Sequence, residues 1–378
     1  MTIKILHLFS SFDPGGKEAR AVRLMNAFGD AARHTIVSGV PGALGAREGI
    51  ASGIRYEIAQ DPPALTGRPS VKRYEMLARA MAKFDLVLTY NWGAIDGVMA
   101  KRVFSGKLPP VIHHEDGFNE DEARRLNPIR NMYRRVALPA AHALVVPSEK
   151  LEKVATQYWK VPDGRLHRIS NGIDTSLYGK PAKPDAIPGF TKKEGEIVIG
   201  TIAGLRPVKY LPLLLRAVGG MAFTVKLVIV GEGPERENIL ETAELMGLED
   251  DLVMPGFLPD PHRYLGLFDI FALSSKSEQQ PISVMEAMAA GLPVVAPPVG
   301  DVPKMVAADN AEYLCPNWNA VGLRDRLQVL AKNKRARDQL GKSNQLRARA
   351  LFDEKAMVAA YARLYGGAIG RPDAFNQG

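Results

Sequence analysis

Apolar positions along the chain gather in short runs, separated by turn residues and by stretches of helical period. Ile3–Phe9 is the first run. Ser10-Ser11-Phe12-Asp13-Pro14-Gly15-Gly16 breaks it, and apolar positions then recur every three or four residues over 17–31. A strand, a glycine turn and a helix open a parallel α/β unit. The same rhythm predicts buried strands over 34–38, 86–90, 111–114 and 143–147, with helices over 71–83 and 148–158. Around 179–195 the period disappears into Lys180-Pro181-Ala182-Lys183-Pro184-Asp185, a stretch with the composition of a linker. Beyond it, strands over 197–203, 226–231, 270–274 and 294–296 alternate with helices over 210–219, 235–246 and 284–290. This alternation predicts doubly wound parallel sheets rather than a barrel. Helical spacing over 353–366 predicts a last helix that crosses back to the first domain.

Length supports the same division, because 378 residues exceed the size at which single cores stop growing. The expected domains are 1–178, joined by the terminal helix at about 353–378, and 196–352, with 179–195 between them. A lone cysteine, Cys315, excludes an internal disulfide and fits a reducing compartment. The first residues lack a basic segment followed by an apolar run, and no stretch reaches the ~20 apolar residues of a spanning helix. A cytoplasmic chain, soluble or peripheral to the membrane, is the expectation. Net charge is +8, and residues 1–185 hold 27 Lys/Arg against 19 Asp/Glu, leaving 22 of each sign for the remainder. The first half is therefore expected to meet something anionic.

Candidate chemistry concentrates in Ser277-Glu278-Gln279-Gln280-Pro281-Ile282-Ser283-Val284-Met285-Glu286-Ala287-Met288. Glu278 falls in the loop after a strand, and Glu286 in the opening turns of the next helix. Both point beyond the carboxyl ends of a parallel sheet, where such folds bind ligands. Two carboxylate oxygens can accept from two vicinal hydroxyls. Taken alone, each glutamate is more commonly an acid that favours the helix dipole; the pair at this spacing, before Ala-x-Gly-x-Pro-Val-Val, is harder to dismiss. A second group is Gly204-Leu205-Arg206-Pro207-Val208-Lys209-Tyr210, which presents two cations ahead of a helix. Arginine forks onto phosphate oxygens and lysine adds a mobile point charge, although two solvated loop cations are the commoner outcome.

In these segments the chain resembles the GT-B glycosyltransferases, in particular the retaining family 4, or glycosyl transferases group 1, of the bacterial exopolysaccharide and lipid-linked sugar type. The resemblance implies two Rossmann-like domains facing each other across a cleft. It implies sugar transfer from a nucleotide diphosphate donor, with UDP favoured and GDP-mannose open, to a lipid-linked or saccharide acceptor. It places Glu286 on the ribose, Glu278 at the sugar, and Arg206 and Lys209 on the diphosphate. Family members carry glycine after that lysine, where this chain has Tyr210. The resemblance also implies that Gly15, Gly16 and Glu18 close on the donor phosphates, that Gly231 and Glu232 flank the nucleotide, and that Phe257 and Leu258 lie beside the base.

The resemblance further implies a histidine near the sugar and acceptor in Val111-Ile112-His113-His114-Glu115-Asp116-Gly117. His113 or His114 fits, and another alignment puts Asp116 in that place. No Asp-x-Asp occurs, and acid runs lack ligand-spaced histidine or cysteine, so neither a metal nor another cofactor is expected. Arg124, Arg125, Arg130, Arg134 and Arg135 stand beside Leu126, Met132 and Tyr133, a pattern that suits an anionic membrane surface, although Pro128 interrupts any single amphipathic helix. Three other readings compete. A UDP-sugar 2-epimerase of the same fold would convert the donor without an acceptor. A basic nucleic-acid module lacks interleaved stacking aromatics, so no nucleic acid is expected. A nicotinamide oxidoreductase lacks the Gly-x-Gly-x-x-Gly fingerprint.

Overall fold

The computed structural model describes residues 2–65, 67–118, 120–123 and 125–375. The chain divides into two compact units: Met1–Gly117, Arg125–Asn171 and Lys355–Gly378 form one, Phe118–Arg124 and Gly172–Glu354 the other. The first holds a sheet of β1 (Ile3–Phe9), β2 (Ala32–Ser38), β3 (Tyr56–Ile58), β4 (Leu86–Tyr90), β5 (Val111–His114), β6 (Ala143–Val146) and β7 (Leu166–Arg168). Their order is β3-β2-β1-β4-β5-β6-β7, and every neighbouring pair is parallel. The second unit holds β8 (Val198–Ile202), β9 (Lys226–Val230), β10 (Leu252–Gly256), β11 (Ile270–Ala272) and β12 (Val294–Val295), again all parallel, in the order β10-β9-β8-β11-β12. Each sheet grows outward from its first strand, then returns to the other side of it. The reversal falls between β1 and β4 in one unit and between β8 and β11 in the other.

Central strands read as continuous apolar runs because helices cover both faces of a parallel sheet. All of β4 and β5 is buried. The strands that periodicity does not reveal, β3, β7 and β10, lie at sheet edges: β3 and β7 are half-buried or exposed and carry no apolar run, while in β10 the short run Leu252-Val253-Met254 is broken by Pro255 and Gly256. Two helices are capped as their sequences suggest: Ser70 Oγ accepts from the Arg73 amide at 3.3 Å, and Ser148 Oγ from the Leu151 amide at 3.1 Å.

Residues 179–195, linker-like in composition, are an ordered strap on the second unit. Ile187 and Phe190 are buried in its core with Tyr178, Lys183 N donates to Arg263 O at 2.8 Å, and Lys192 pairs with Asp269 at 2.7 Å. The last helix, Glu354–Ala368, belongs to the first unit. It places Met357, Tyr361, Ala362 and Tyr365 among Ile5, Met25 and Phe28, and Phe375 beyond it meets Phe28 at 4.6 Å between ring centroids.

This core also contains histidines that stay neutral. His7 Nε2 lies 2.9 Å from His34 Nδ1, and its Nδ1 lies 3.2 Å from the Tyr90 hydroxyl. Burial drives His7 well below 6.5, His34 to about 4 and His114 to about 3. The unfolded chain takes up these protons near pH 6.5, whereas the folded chain refuses them until far lower pH. This contribution to stability is therefore present above pH 6.5 and is lost as pH falls below it. Urea unfolding at pH 7.5 and 5.5 is expected to show a clear drop in midpoint for the first unit; equal midpoints would contradict this account.

Candidate functional site

In the second unit, the loops that follow β8 and β11 meet where the strand order reverses, the place at which open parallel sheets leave a crevice. Lys209 Nζ pairs with Glu278 Oε1, which also accepts from Ser275 Oγ at 2.7 Å. Ser274 Oγ donates to Lys209 O at 3.0 Å, and Lys276 N donates to Val208 O at 2.8 Å. Both charged side chains of the pair are largely buried. Arg206 is exposed at the start of the same loop and forms no ion pair among the described residues.

Glu286 lies in the second turn of the helix Ile282–Ala289 and is buried. Burial raises the Tyr264 hydroxyl, and the Glu286 charge adds to that rise. The Tyr264 hydroxyl donates to Leu258 O at 3.4 Å, which ties the Phe257–Leu258 loop to the neighbourhood of Glu286. Phe257 itself is exposed. Gly231 has φ 144°, and a Cβ there would lie 1.9 Å from Ala203 O; Leu205 N donates to Glu232 O at 2.8 Å. The loops after β8 and β9 therefore run backbone to backbone, while the Glu232 side chain stays exposed. Sequence reasoning missed Gly300 and Asp301. Asp301 N donates to Gln279 O at 2.8 Å, and a Cβ on Gly300 would meet Glu278 O at 2.4 Å. The Pro297-Pro298-Val299-Gly300-Asp301 turn beyond β12 was the available signal.

Tyr210 occupies the left-handed region at φ 44°, ψ 50°, a conformation that glycine adopts without steric cost. Its ring offsets the cost by packing 5.2 Å from the Trp318 ring, with Lys276 Nζ 4.6 Å from its centroid and an Arg216 guanidinium nitrogen 3.3 Å from its hydroxyl.

In the first unit, the loops after β1, β4 and β5 converge at the other reversal. Gly15 caps the helix Gly16–Phe28, and a Cβ on it would sit 2.7 Å from Glu18 Oε2. The absence of a side chain lets Glu18 fold back over the helix start, where it pairs with Lys17. Burial raises the Glu18 carboxyl, and Lys17 only partly opposes it. Arg20, buried one turn on, grips Asp116 with two nitrogens, one contact measuring 2.8 Å, and donates to Asn171 Oδ1 at 3.0 Å. Burial alone would raise Asp116, but the Arg20 guanidinium outweighs it and holds the carboxyl below its ordinary value. Asn91, at φ 55°, accepts from the Asp116 amide at 2.7 Å. Arg20, Asn91 and Tyr361, whose ring lies 5.7 Å from the Arg20 guanidinium, were not singled out from sequence.

Neither histidine is placed to reach a ligand. His113 and His114 are fully buried on opposite faces of β5. His113 Nδ1 lies 2.7 Å from Thr89 Oγ1, and its Nε2 lies 3.6 Å from Glu115. His114 Nε2 lies 2.8 Å from the Tyr365 hydroxyl. Asp116 keeps partial exposure and is the one of the three that faces outward. The arginine cluster is also corrected. Arg134 is buried, lying 5.2 Å from the Trp92 ring and 5.0 Å from the Trp159 ring, with Glu115 at 3.4 Å. Arg124 lies outside the described residues. Pro128 does not interrupt the helix Pro128–Ala137 but starts it, with Asn127 Oδ1 accepting from two amides. Ile129, Met132, Arg135 and Val136 are exposed on it, and Arg125 precedes it.

Two family models match, "Glycosyl transferases group 1" over residues 183–347 and "Glycosyltransferase Family 4" over 14–177. The chain is 25% identical over 232 residues to N-acetyl-alpha-D-glucosaminyl L-malate synthase of Bacillus anthracis, covering 61% of this chain and 59% of that one. It is 27% identical over 248 residues to a putative colanic acid biosynthesis glycosyltransferase of Escherichia coli, covering 61% and 56%. The chain thus spans less than two thirds of either relative. Among solved structures, Anabaena HepE with UDP-glucose superposes with a TM-score of 0.76 at 20% identity, covering 97% of this chain and 100% of that one. Sucrose-phosphate synthase of Thermosynechococcus elongatus superposes at 0.77 and 20% identity, covering 97% and 99%. These likenesses show the fold, GT-B.

The strained backbone at Tyr210 is open to test. Tyr210→Gly and Tyr210→Ala both lose the ring contacts, so their difference isolates the backbone. The glycine variant is expected to be the more stable by about 1 kcal/mol in chemical denaturation; equal stabilities, or the reverse order, would show that the left-handed conformation carries no cost.

Proposed function

The chain belongs to the group 1 glycosyl transferases, and from that premise we propose that it moves a sugar from a UDP-sugar to a lipid-linked or saccharide hydroxyl during glycan synthesis, with retention at the anomeric carbon. The observation that carries this reading is the Lys209–Glu278 pair at the reversal between β8 and β11. Support for the donor comes from HepE, a neighbour of the same fold that holds UDP-glucose. Support for the acceptor class comes from a relative named for colanic acid biosynthesis.

In this reading the Glu286 carboxylate accepts the two ribose hydroxyls. Arg206, exposed and without an ion pair among the described residues, forks onto the diphosphate. Lys209 is shared at rest with Glu278; an arriving phosphate draws the ammonium toward itself and frees the carboxylate for the hydroxyls of the donor sugar. As the bond from the anomeric carbon to the diphosphate breaks, Arg206 and Lys209 stabilise the negative charge that develops on the leaving oxygen. The acceptor hydroxyl attacks from the same face and passes its proton to that oxygen, so no side-chain nucleophile is required and no metal is invoked. In the first unit, Asp116, kept ionised by Arg20, is the group that accepts a hydrogen bond from an acceptor hydroxyl.

The exposed stripe of Ile129, Met132 and Val136, with Arg125, Arg130 and Arg135 near it, is read as peripheral contact with an anionic membrane that would present a lipid-linked acceptor. No helix among the described residues is long and apolar enough to cross a membrane.

Transfer measured with UDP-glucose and a lipid extract, together with calorimetric UDP titration, tests the donor site. Arg206→Ala is expected to lower kcat by about 10²–10³, and Glu286→Ala to weaken UDP by about tenfold or more. Donor binding and turnover left intact in both would sink the assignment, and a product of inverted configuration by NMR would remove retention. Separately, Ile129→Asp with Met132→Asp is expected to abolish sedimentation with phosphatidylglycerol vesicles; unchanged sedimentation would rule that stripe out.

A further inference from the structure

The amino ends of β5, β6 and β7 border a groove of about 1130 Å³ in the first unit, at the end of the sheet opposite Asp116. Lys101, Arg165, Arg168, Arg363, His142 and His167 line it, and no aspartate or glutamate does. Apolar side chains, among them Leu108, Pro110 and Leu364, make up much of the remaining wall.

The partners of these cations matter more than their number. Arg168 is engaged by Glu152 at 3.0 Å and Glu149 at 3.8 Å, so its charge is already answered. Lys101 Nζ donates to Leu108 O at 2.6 Å, and Arg165 donates to the carbonyls of Pro139 and Ala141. Carbonyl oxygens orient a cation without cancelling its charge. Arg363, on the last helix, forms no ion pair among the described residues. Three fixed positive charges therefore face one concave surface with no carboxylate among its lining residues. The two histidines agree with this. Burial lowers His142, and Arg165 and Lys101 lower it further; burial and then His142 lower His167. Like charge held together in a groove is what an anion relieves.

We propose that this groove binds a phosphate-bearing anion, with Arg165 and Arg363 as the bidentate contacts and Lys101 as the point charge. The apolar wall fits the organic part of a phosphate ester. The site is separate from the donor loops, which belong to the second unit, and it does not depend on the transfer reaction proposed above. Its position gives it a route into the first unit's core. Arg363 and Leu364 lie on the groove side of the last helix, while Tyr361 and Tyr365 of the same turns reach Arg20 and His114.

The full-length protein is titrated with inorganic pyrophosphate by calorimetry and, in parallel, with phosphatidylcholine vesicles containing phosphatidylglycerol. UDP is kept in excess so that any nucleoside diphosphate site is filled. At least one probe is expected to bind, more weakly as salt is raised. The Arg165→Ala, Arg363→Ala double variant is expected to lose at least about tenfold in affinity, while Arg165→Lys, Arg363→Lys retains most of it. The probe that responds identifies the source of the phosphate, a soluble ester or a lipid headgroup. Arg363→Glu changes a single exposed side chain and repeats the test if the alanine pair does not fold. Binding of neither probe, or equal affinity in the wild-type protein and the charge-removed variants, overturns the proposal.

Discussion

Parallel pairing is the constraint from which the rest of the molecule follows. When every strand runs the same way, every loop that follows a strand emerges at one edge of the sheet, and the reversal of strand order parts two neighbouring loops into a crevice. Both units obey this. In the second, Lys209 and Glu278 close the gap between the loops after β8 and β11; in the first, Arg20, Asn91 and Asp116 do the same for the loops after β1, β4 and β5. Polar groups far apart in sequence meet there because the topology brings their loops together.

Charge that converges out of water has to be compensated, and the molecule does so in two ways. Arg20 and Asp116 form a forked pair near the surface, which leaves the carboxylate ionised and partly exposed. Glu115, one residue earlier, is buried outright and is answered by Arg134 between two tryptophan rings. Taking one partner from such a buried group is costly, whereas the pair itself adds little net stability. The successive residues 115 and 116 thus divide the work: one anchors the sheet edge from behind, and the other faces outward.

Much of this was legible in the chain. Central strands announced themselves as apolar runs, and spacing marked Lys209 and Glu278, which the structure pairs. Three kinds of feature could not. Edge strands such as β7 lack an apolar run because one side meets solvent. His113 and His114 carry the residue type of catalysis, but alternation along a buried strand turned both away from any opening. Arg134 looked like one more surface charge, because no local pattern reveals that Trp92 and Trp159, far off in sequence, enclose it. Tyr210 was flagged as a departure from glycine, and only its backbone angles gave the reason.

The last helix has a consequence for how the protein is made. The core of the first unit includes Met357, Tyr361, Tyr365 and Phe375, and these residues leave the ribosome after the whole of the second unit. Residues 172–354 are complete before that. The first unit must therefore wait, its sheet uncovered on one patch, while the second already has the chain it needs to fold. A nascent chain stalled before residue 355 would carry a second unit with all its residues and a first one still lacking the helix that completes its core.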